Sequence, residues 1–233
     1  MGDDVDPDAV PVLLAEHHGC LDVGDPVALT LPRTRWPRQR VLDVVHGAGF
    51  DVAGIRTRGG RWTVRAVRAH TLADTVDGAM RVLVCGLNPS VYSADAGVGF
   101  ARPGNRFWPA AVAAGLVTRP RDAVHALVHH HVGMTDLVKR ATPRADALQP
   151  DEYRRGLVRV TALVSWLAPG AVVFVGLAGF RAAVDRHATP GPRGELGGRP
   201  LYLMPSTSGL NARSRPADLA EHLRAAARLA DTG

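Results

Sequence analysis

The chain has 233 residues, 46% of them hydrophobic and 21% charged, which is enough for a full domain plus an appendage and too apolar for a disordered chain. Its two cysteines, Cys20 and Cys85, exclude a disulfide framework, a four-cysteine iron–sulfur site and a four-thiolate zinc site. The net charge of +6 is uneven: seven of the 22 acids lie in residues 1–26, which hold no Lys or Arg, so residues 27–233 carry 28 basic against 15 acidic side chains.

A body that basic suits a polyanion such as nucleic acid. A ratio of 27 Arg to one Lys also fits the codon bias of a GC-rich genome, so charge alone does not choose a partner. Residues 1–26 read as a loosely ordered acidic start with a short helix near residues 10–15. Residues 27–31 read as a strand and 38–46 as a helix ended by Gly47 and Gly49. Residues 52–58 and 61–69 read as two strands joined by Gly59-Gly60, a hairpin signal. Residues 27–70 therefore form a predicted small α+β extension.

From residue 81 strands alternate with helices. Residues 82–85, 171–175 and 201–204 are short apolar runs, the pattern of strands buried on both faces. Residues 105–114 read as a helix with Asn105 as its cap. Residues 152–167 read as an amphipathic helix, with Tyr153, Leu157, Val160, Val164 and Leu167 on one face. A short helix is predicted over 178–187, and Pro216 opens a C-terminal one. This alternation predicts an α/β domain over 71–233, a mainly parallel sheet with helices on both sides. Cys85, Phe107 and Trp108 are predicted core.

In an open α/β sheet, sites form beyond the carboxyl ends of strands. Two strands end in polar loops, GLNPS at 86–90 and MPSTSGLN at 204–211. Neither is a phosphate cradle, since GxxxxGK[ST] and GxGxxG are absent, and no GxSxG elbow is present. Asn88 is an amide, too weak to be a base but able to hold a water by accepting and donating hydrogen bonds. That suffices where the transition state is already cationic and water attacks late, as in cleavage of a nucleoside's glycosidic bond. Asp95 and Asp136 are candidate bases, with Asp95 preferred because it lies between Asn88 and Phe100. The run His129-His130-His131 is read as strand, with neighbours on opposite faces, and so not as a metal site.

GLNPS at 86–90, GVGFARPGNRFWP at 97–109, GMTDLVKRATPRADAL at 133–148 and MPSTSGL at 204–210 resemble, in this order, the mismatch-specific uracil/thymine-DNA glycosylases of the uracil-DNA glycosylase superfamily. The resemblance implies a three-layer α/β/α fold. It implies hydrolysis of the glycosidic bond of uracil, with thymine and damaged pyrimidines as further candidates, in double-stranded DNA, opposite guanine, after base flipping. Asn88 would position the water, with Thr135 nearby. Gly86, Leu87, Ser90 and Ser93 would border the base, Phe100 would stack on it, and Asn105 would support the pocket. Ser206 and Ser208 would contact phosphates. Gly209 and Leu210 would wedge the duplex, with Asn211 and Arg213 beside them. Ser90 replaces the commonest glycine of the first motif. The product would be an abasic site without strand cleavage, because the motifs hold no lysine to form an imine. No cofactor or metal is implied, and a monomer in the cytoplasm at the nucleoid is expected.

Two rival readings remain at this point. One is a lesion-binding protein that flips bases without cutting. The other is a small-molecule transferase, because residues 27–69 faintly resemble the end of a class I methyltransferase domain, without its glycine-rich cofactor loop.

Overall fold

A computed structural model describes residues 5–32, 35–211 and 214–232. The acidic start is more ordered than its composition predicts. Helix α1 (Val10–Gly19) buries Val10 and Leu14. Asp6 caps the preceding turn through the Asp8 amide, and Asp8 accepts a hydrogen bond from Trp166 Nε1 at 2.9 Å. These acids serve as local acceptors, which composition cannot reveal.

Strand β1 (Pro26–Thr30), helix α2 (Arg38–Gly47), and strands β2 (Phe50–Arg58) and β3 (Arg61–Arg68) follow. They make an antiparallel sheet in the order β1-β3-β2. Gly59 and Gly60 form the β2–β3 turn with φ of 58° and 77°, the two positive values that a twist-matched two-residue hairpin needs. One face of this sheet is covered. Leu29, Phe50 and Val64 pack on Val10 and Leu14 of α1 and on Val41, Val44 and Val45 of α2.

The second sheet begins with β4 (Val82–Gly86). Then come α3 (Val91–Ala96), α4 (Phe107–Ala113), α5 (Ala123–His130), β5 (Val132–Asp136), α6 (Pro150–Leu167), β6 (Ala171–Val175), α7 (Leu177–Ala183), β7 (Gly191–Leu196), β8 (Arg199–Met204) and α8 (Pro216–Ala230). The strand order is β5-β4-β6-β8-β7. All neighbours are parallel except β7 and β8. Alternate residues feed two cores. Leu83, Cys85, Val172 and Phe174 face Leu163 and Val164 of α6. Val82, Val84, Val173 and Val175 face Phe107 and Trp108 of α4 and Leu219 and Leu223 of α8. The result is the three-layer α/β/α arrangement, and each fully buried side chain of this size contributes about 1.5–3 kcal/mol.

Several elements depart from the sequence expectations. Strand β7, with Pro192 and Glu195, lacks apolar alternation because it is an edge strand, where a missing donor is tolerated. The predicted 178–187 helix stops at Ala183. His129 and His130 end helix α5 and His131 caps it in the left-handed region at φ 54°, so this run is not strand. Among the described residues no group of three His, Cys, Asp or Glu side chains is placed to hold a metal ion, and no helix is long and apolar enough to cross a membrane.

Candidate active site

Strand β4 occupies the middle of the parallel set, with β5 on one side and β6 on the other. The loop leaving β4 therefore emerges where the crevice of an open sheet forms. Its flank is stitched to the segment leaving β5. The carbonyls of Gly86, Leu87 and Pro89 accept from the amides of Leu137, Val138 and Thr142 at 2.9–3.1 Å.

Asn88 is tied to that segment as well. Its Nδ2 lies 3.0 Å from the carbonyls of Pro89 and Arg140 and 2.8 Å from Thr142 Oγ1. Carbonyls only accept, so these partners fix the amide with its nitrogen inward. Among the described residues Oδ1 has no protein partner. The Thr142 hydroxyl, having accepted from Asn88, still has its own proton to donate. Arg140 is itself anchored, with two 2.8 Å hydrogen bonds to the Glu152 carboxylate on α6. Asn88 thus lines the cleft as a braced acceptor beside a donor.

The cleft has a volume of about 760 Å³ and brings the two polar loops together: Asn88, Ser90, Ser93, Phe100 and Asn105 on one side, Ser206, Ser208 and Leu210 on the other. Leu87 borders it too, while its Cδ1 is seated close to Gly179 of α7, where a Cβ would stand 2.5 Å away. Ser90 caps α3 by accepting from the Ser93 amide at 3.1 Å. Its hydroxyl meets Ser93 Oγ at 3.0 Å, and Ser93 Oγ accepts from the Ala101 amide. This hydroxyl pair stiffens the turn where a glycine would leave it loose. Phe100 sits in the left-handed region at φ 57°, a strained conformation costing about 1–3 kcal/mol. It stacks on Phe107 with ring centroids 4.1 Å apart, so one face is backed by core. Asn105 accepts from the Phe107 amide at 2.9 Å and so fixes the start of α4.

The second loop is held by a residue the sequence reading missed. Arg106 donates to the carbonyls of Ser208 at 2.9 Å, Asn211 at 2.6 Å and Ser214, and its amide donates to Thr207. Asn211 donates to the Ser206 carbonyl at 2.8 Å, and Ser206 Oγ accepts from the Ser208 amide. Gly209 lies so near the Gly104 carbonyl that a Cβ would stand 2.8 Å from it. Leu210, at the tip, is 84% exposed. Arg213 lies outside the described residues.

Three expectations need correction. Thr135 does not reach Asn88: it lies on β5 opposite Cys85, and its buried hydroxyl donates to Asp74 at 2.7 Å. The threonine beside Asn88 is Thr142, the other one near the middle of the 133–148 segment. Asp95 is exposed and pairs with His70 at 2.8 Å, whereas Asp136 lines the cleft. Asp136 is opposite Gly86 in the ladder, and only the missing side chain there makes room, since a Cβ would lie 2.3 Å from Asp136 Oδ1. Burial pushes the Asp136 carboxyl up to about 6, with Lys139 and Arg159 opposing and the Asp74 charge adding to the rise. The sole lysine, Lys139, does fall in the 133–148 segment, contrary to expectation. It is buried, however, and its Nζ donates to Asp74 at 2.7 Å.

Asp74 is the hub of a buried cluster. Besides Lys139 and Thr135 it accepts from Arg159 Nη1 at 2.5 Å. Burial pushes its carboxyl up, but Arg159 and Lys139 together hold it below the usual range. Its amide donates to the Gly47 carbonyl at 2.8 Å, so the cluster also fixes the end of α2 against the second sheet.

The arrangement suits attack by a fixed water on an electron-poor carbon, with a flat ring nearby and an exposed apolar tip at the rim. The family model of the uracil DNA glycosylase superfamily matches residues 73–229, which takes in both loops and the whole five-stranded sheet, and the chain belongs to that superfamily.

Proposed function

We propose that this superfamily member is a monofunctional, mismatch-specific DNA glycosylase that hydrolyses the N-glycosidic bond of uracil opposite guanine, with thymine and other damaged bases as further candidate substrates. The observation that carries the reading is Asn88, whose Nδ2 is tied down by Arg140 and Thr142 while Oδ1 remains to accept from a water in the cleft.

The step follows from that geometry. The flipped base lies against Phe100, and Leu210 fills the gap it leaves in the stack. The C1′–N bond lengthens, its electron pair goes to the base, and the sugar becomes cationic. The water donates one hydrogen to Asn88 Oδ1 and accepts from the Thr142 hydroxyl, leaving a lone pair for C1′. The C1′–O bond forms, and the proton set free goes to the departing base or to solvent. No strong base is needed, because the carbon is already electron-poor. The sole lysine is held by Asp74, so water, not an amine, takes the sugar carbon and the strand stays intact.

The test is a panel of labelled duplexes bearing uracil, thymine, xanthine or hypoxanthine opposite guanine, incubated with the protein and then treated with alkali. Strand breaks should appear after alkali only, and fastest with uracil. Tight binding without alkali-labile sites would replace this reading with a base-flipping protein that does not cut.

A further inference from the structure

Among the described residues the three-stranded sheet has its core on one face, and the other face is strongly cationic. In the β1-β3-β2 register, Ala28 and Gly54 flank Arg65, Thr30 and Arg56 flank Thr63, and Arg58 stands opposite Arg61. Strand alternation puts these residues on one face, away from buried Leu29, Val64 and Ala66. Arg56, Arg58 and Arg65 are exposed. Arg65 reaches sideways over the neighbouring strand, so that a Cβ on Gly54 would stand 3.2 Å from its Nη2. No described carboxylate pairs with Arg56, Arg58 or Arg65. Among the described strand residues the acid on this face is Asp51, at the far end opposite Val67.

Such a face is costly to the free protein. The exposed Arg56 and Arg58 stand two residues apart on the same face of one strand, and Ala28 and Gly54 beside Arg65 carry no side-chain acceptor. Covering the face with a polyanion turns the cost into a gain, with release of counterions.

We infer that this face is a second polyphosphate-binding surface, holding the sugar–phosphate backbone of duplex DNA away from the cleft. Arginine forks and threonine hydroxyls match phosphate oxygens. Among the described residues of the three strands this face presents no aromatic ring: Trp62 belongs to the inner side and packs with the α1–α2 core. Proteins that grip single strands stack bases on such rings, so its absence favours a backbone read without its bases. The choice of DNA as the polymer rests on the glycosylase reading, but the phosphate chemistry does not.

The experiment is fluorescence anisotropy of a short undamaged duplex DNA titrated with the full chain at several KCl concentrations. The variant Arg56→Gln/Arg58→Gln/Arg65→Gln should bind at least about tenfold more weakly. Its slope of log affinity against log salt should fall by about 2–3, roughly 0.9 for each phosphate no longer neutralised. The Lys triple variant should keep most of the slope. The melting temperature of the Gln variant should match or exceed the wild type, because like charges have been removed. An unchanged slope overturns the inference. So does an equal loss when the exposed Arg119, Arg154 and Arg186 are changed to Gln instead, or tighter binding to single strands or duplex RNA. If the Gln variant loses affinity while the wild type releases no base, only the glycosylase reading fails. If bases are released and the slopes coincide, only this surface fails.

Discussion

The two loops that meet in the cleft are held in opposite ways. The loop after β4 is pinned along its whole flank by the amides of Leu137, Val138 and Thr142, and Asn88 has lost its rotational freedom to Arg140 and Thr142. The loop after β8 is held by Arg106, whose guanidinium serves three carbonyls and whose amide serves that of Thr207, and by hydrogen bonds within the loop, and it leaves Leu210 84% exposed. The difference matches the two tasks proposed for these loops. Positioning a water tolerates little error, since small displacements of reacting groups cost large factors in rate. Entering a duplex needs an apolar side chain that is free of its own protein until DNA arrives.

The sharpest way to break this comparison is at the braced loop. Asn88→Ala removes the acceptor and is expected to slow single-turnover excision by about 10²–10³-fold, the range for loss of one preorganised polar group. Thr142→Val keeps the shape but removes the donor and leaves the Asn88 amide short of a partner. Excision should fall by roughly 10–100-fold, for an unpaired polar group costs about 1–3 kcal/mol, while Thr142→Ser should retain most activity. Both are read by rapid-quench assay with enzyme in excess. At the other loop, Leu210→Ala should weaken binding to mismatched duplex by roughly 3–10-fold, with little effect on the thermal stability of the free protein, because an exposed side chain contributes little to its own fold.

The smallest effect expected is at Asp136. Its folded pKa of about 6 lies above the ordinary value of 3.8, so the folded state holds a proton that the unfolded chain releases. That contribution is complete below pH 4 and is lost as pH rises through 6. Lys139 and Arg159 moderate it and Asp74 reinforces it. Asp136→Asn keeps the shape in neutral form, so its melting temperature should exceed the wild type's by about 2–6 °C above pH 7, and the two should converge near pH 4. Calorimetry across that range decides. A variant less stable at pH 8 would mean that the carboxylate is held by a partner.

Much of the second sheet was legible because strands buried on both faces read as continuous apolar runs, as at 82–85 and 171–175. The ends of the runs at 82–85 and 201–204 pointed by position to the two polar loops, and the motif resemblance singled out Asn88 and Leu210 within them. Strand β7 was illegible because an edge strand needs no apolar face, and Gly191, Pro192 and Arg193 give no period. The choice between Thr135 and Thr142 was illegible for another reason: both lie in one short segment, and only the path of the chain after β5 brings Thr142 back across Pro89. Alternation along β5 then separates Thr135 from its neighbour Asp136, sending one into the Asp74 cluster and the other to the cleft. Arg106 was hidden because its partners are carbonyls, which no side-chain pattern records.

The division of labour between the loops is tested most directly by following flipping and excision together, with a 2-aminopurine reporter beside the uracil in a rapid-mixing experiment. Asn88→Ala is predicted to give the full fluorescence rise of base extrusion with almost no release of uracil. Leu210→Ala is predicted to give a reduced or shorter-lived rise, with release falling in proportion. Loss of the same step in both variants would contradict the account.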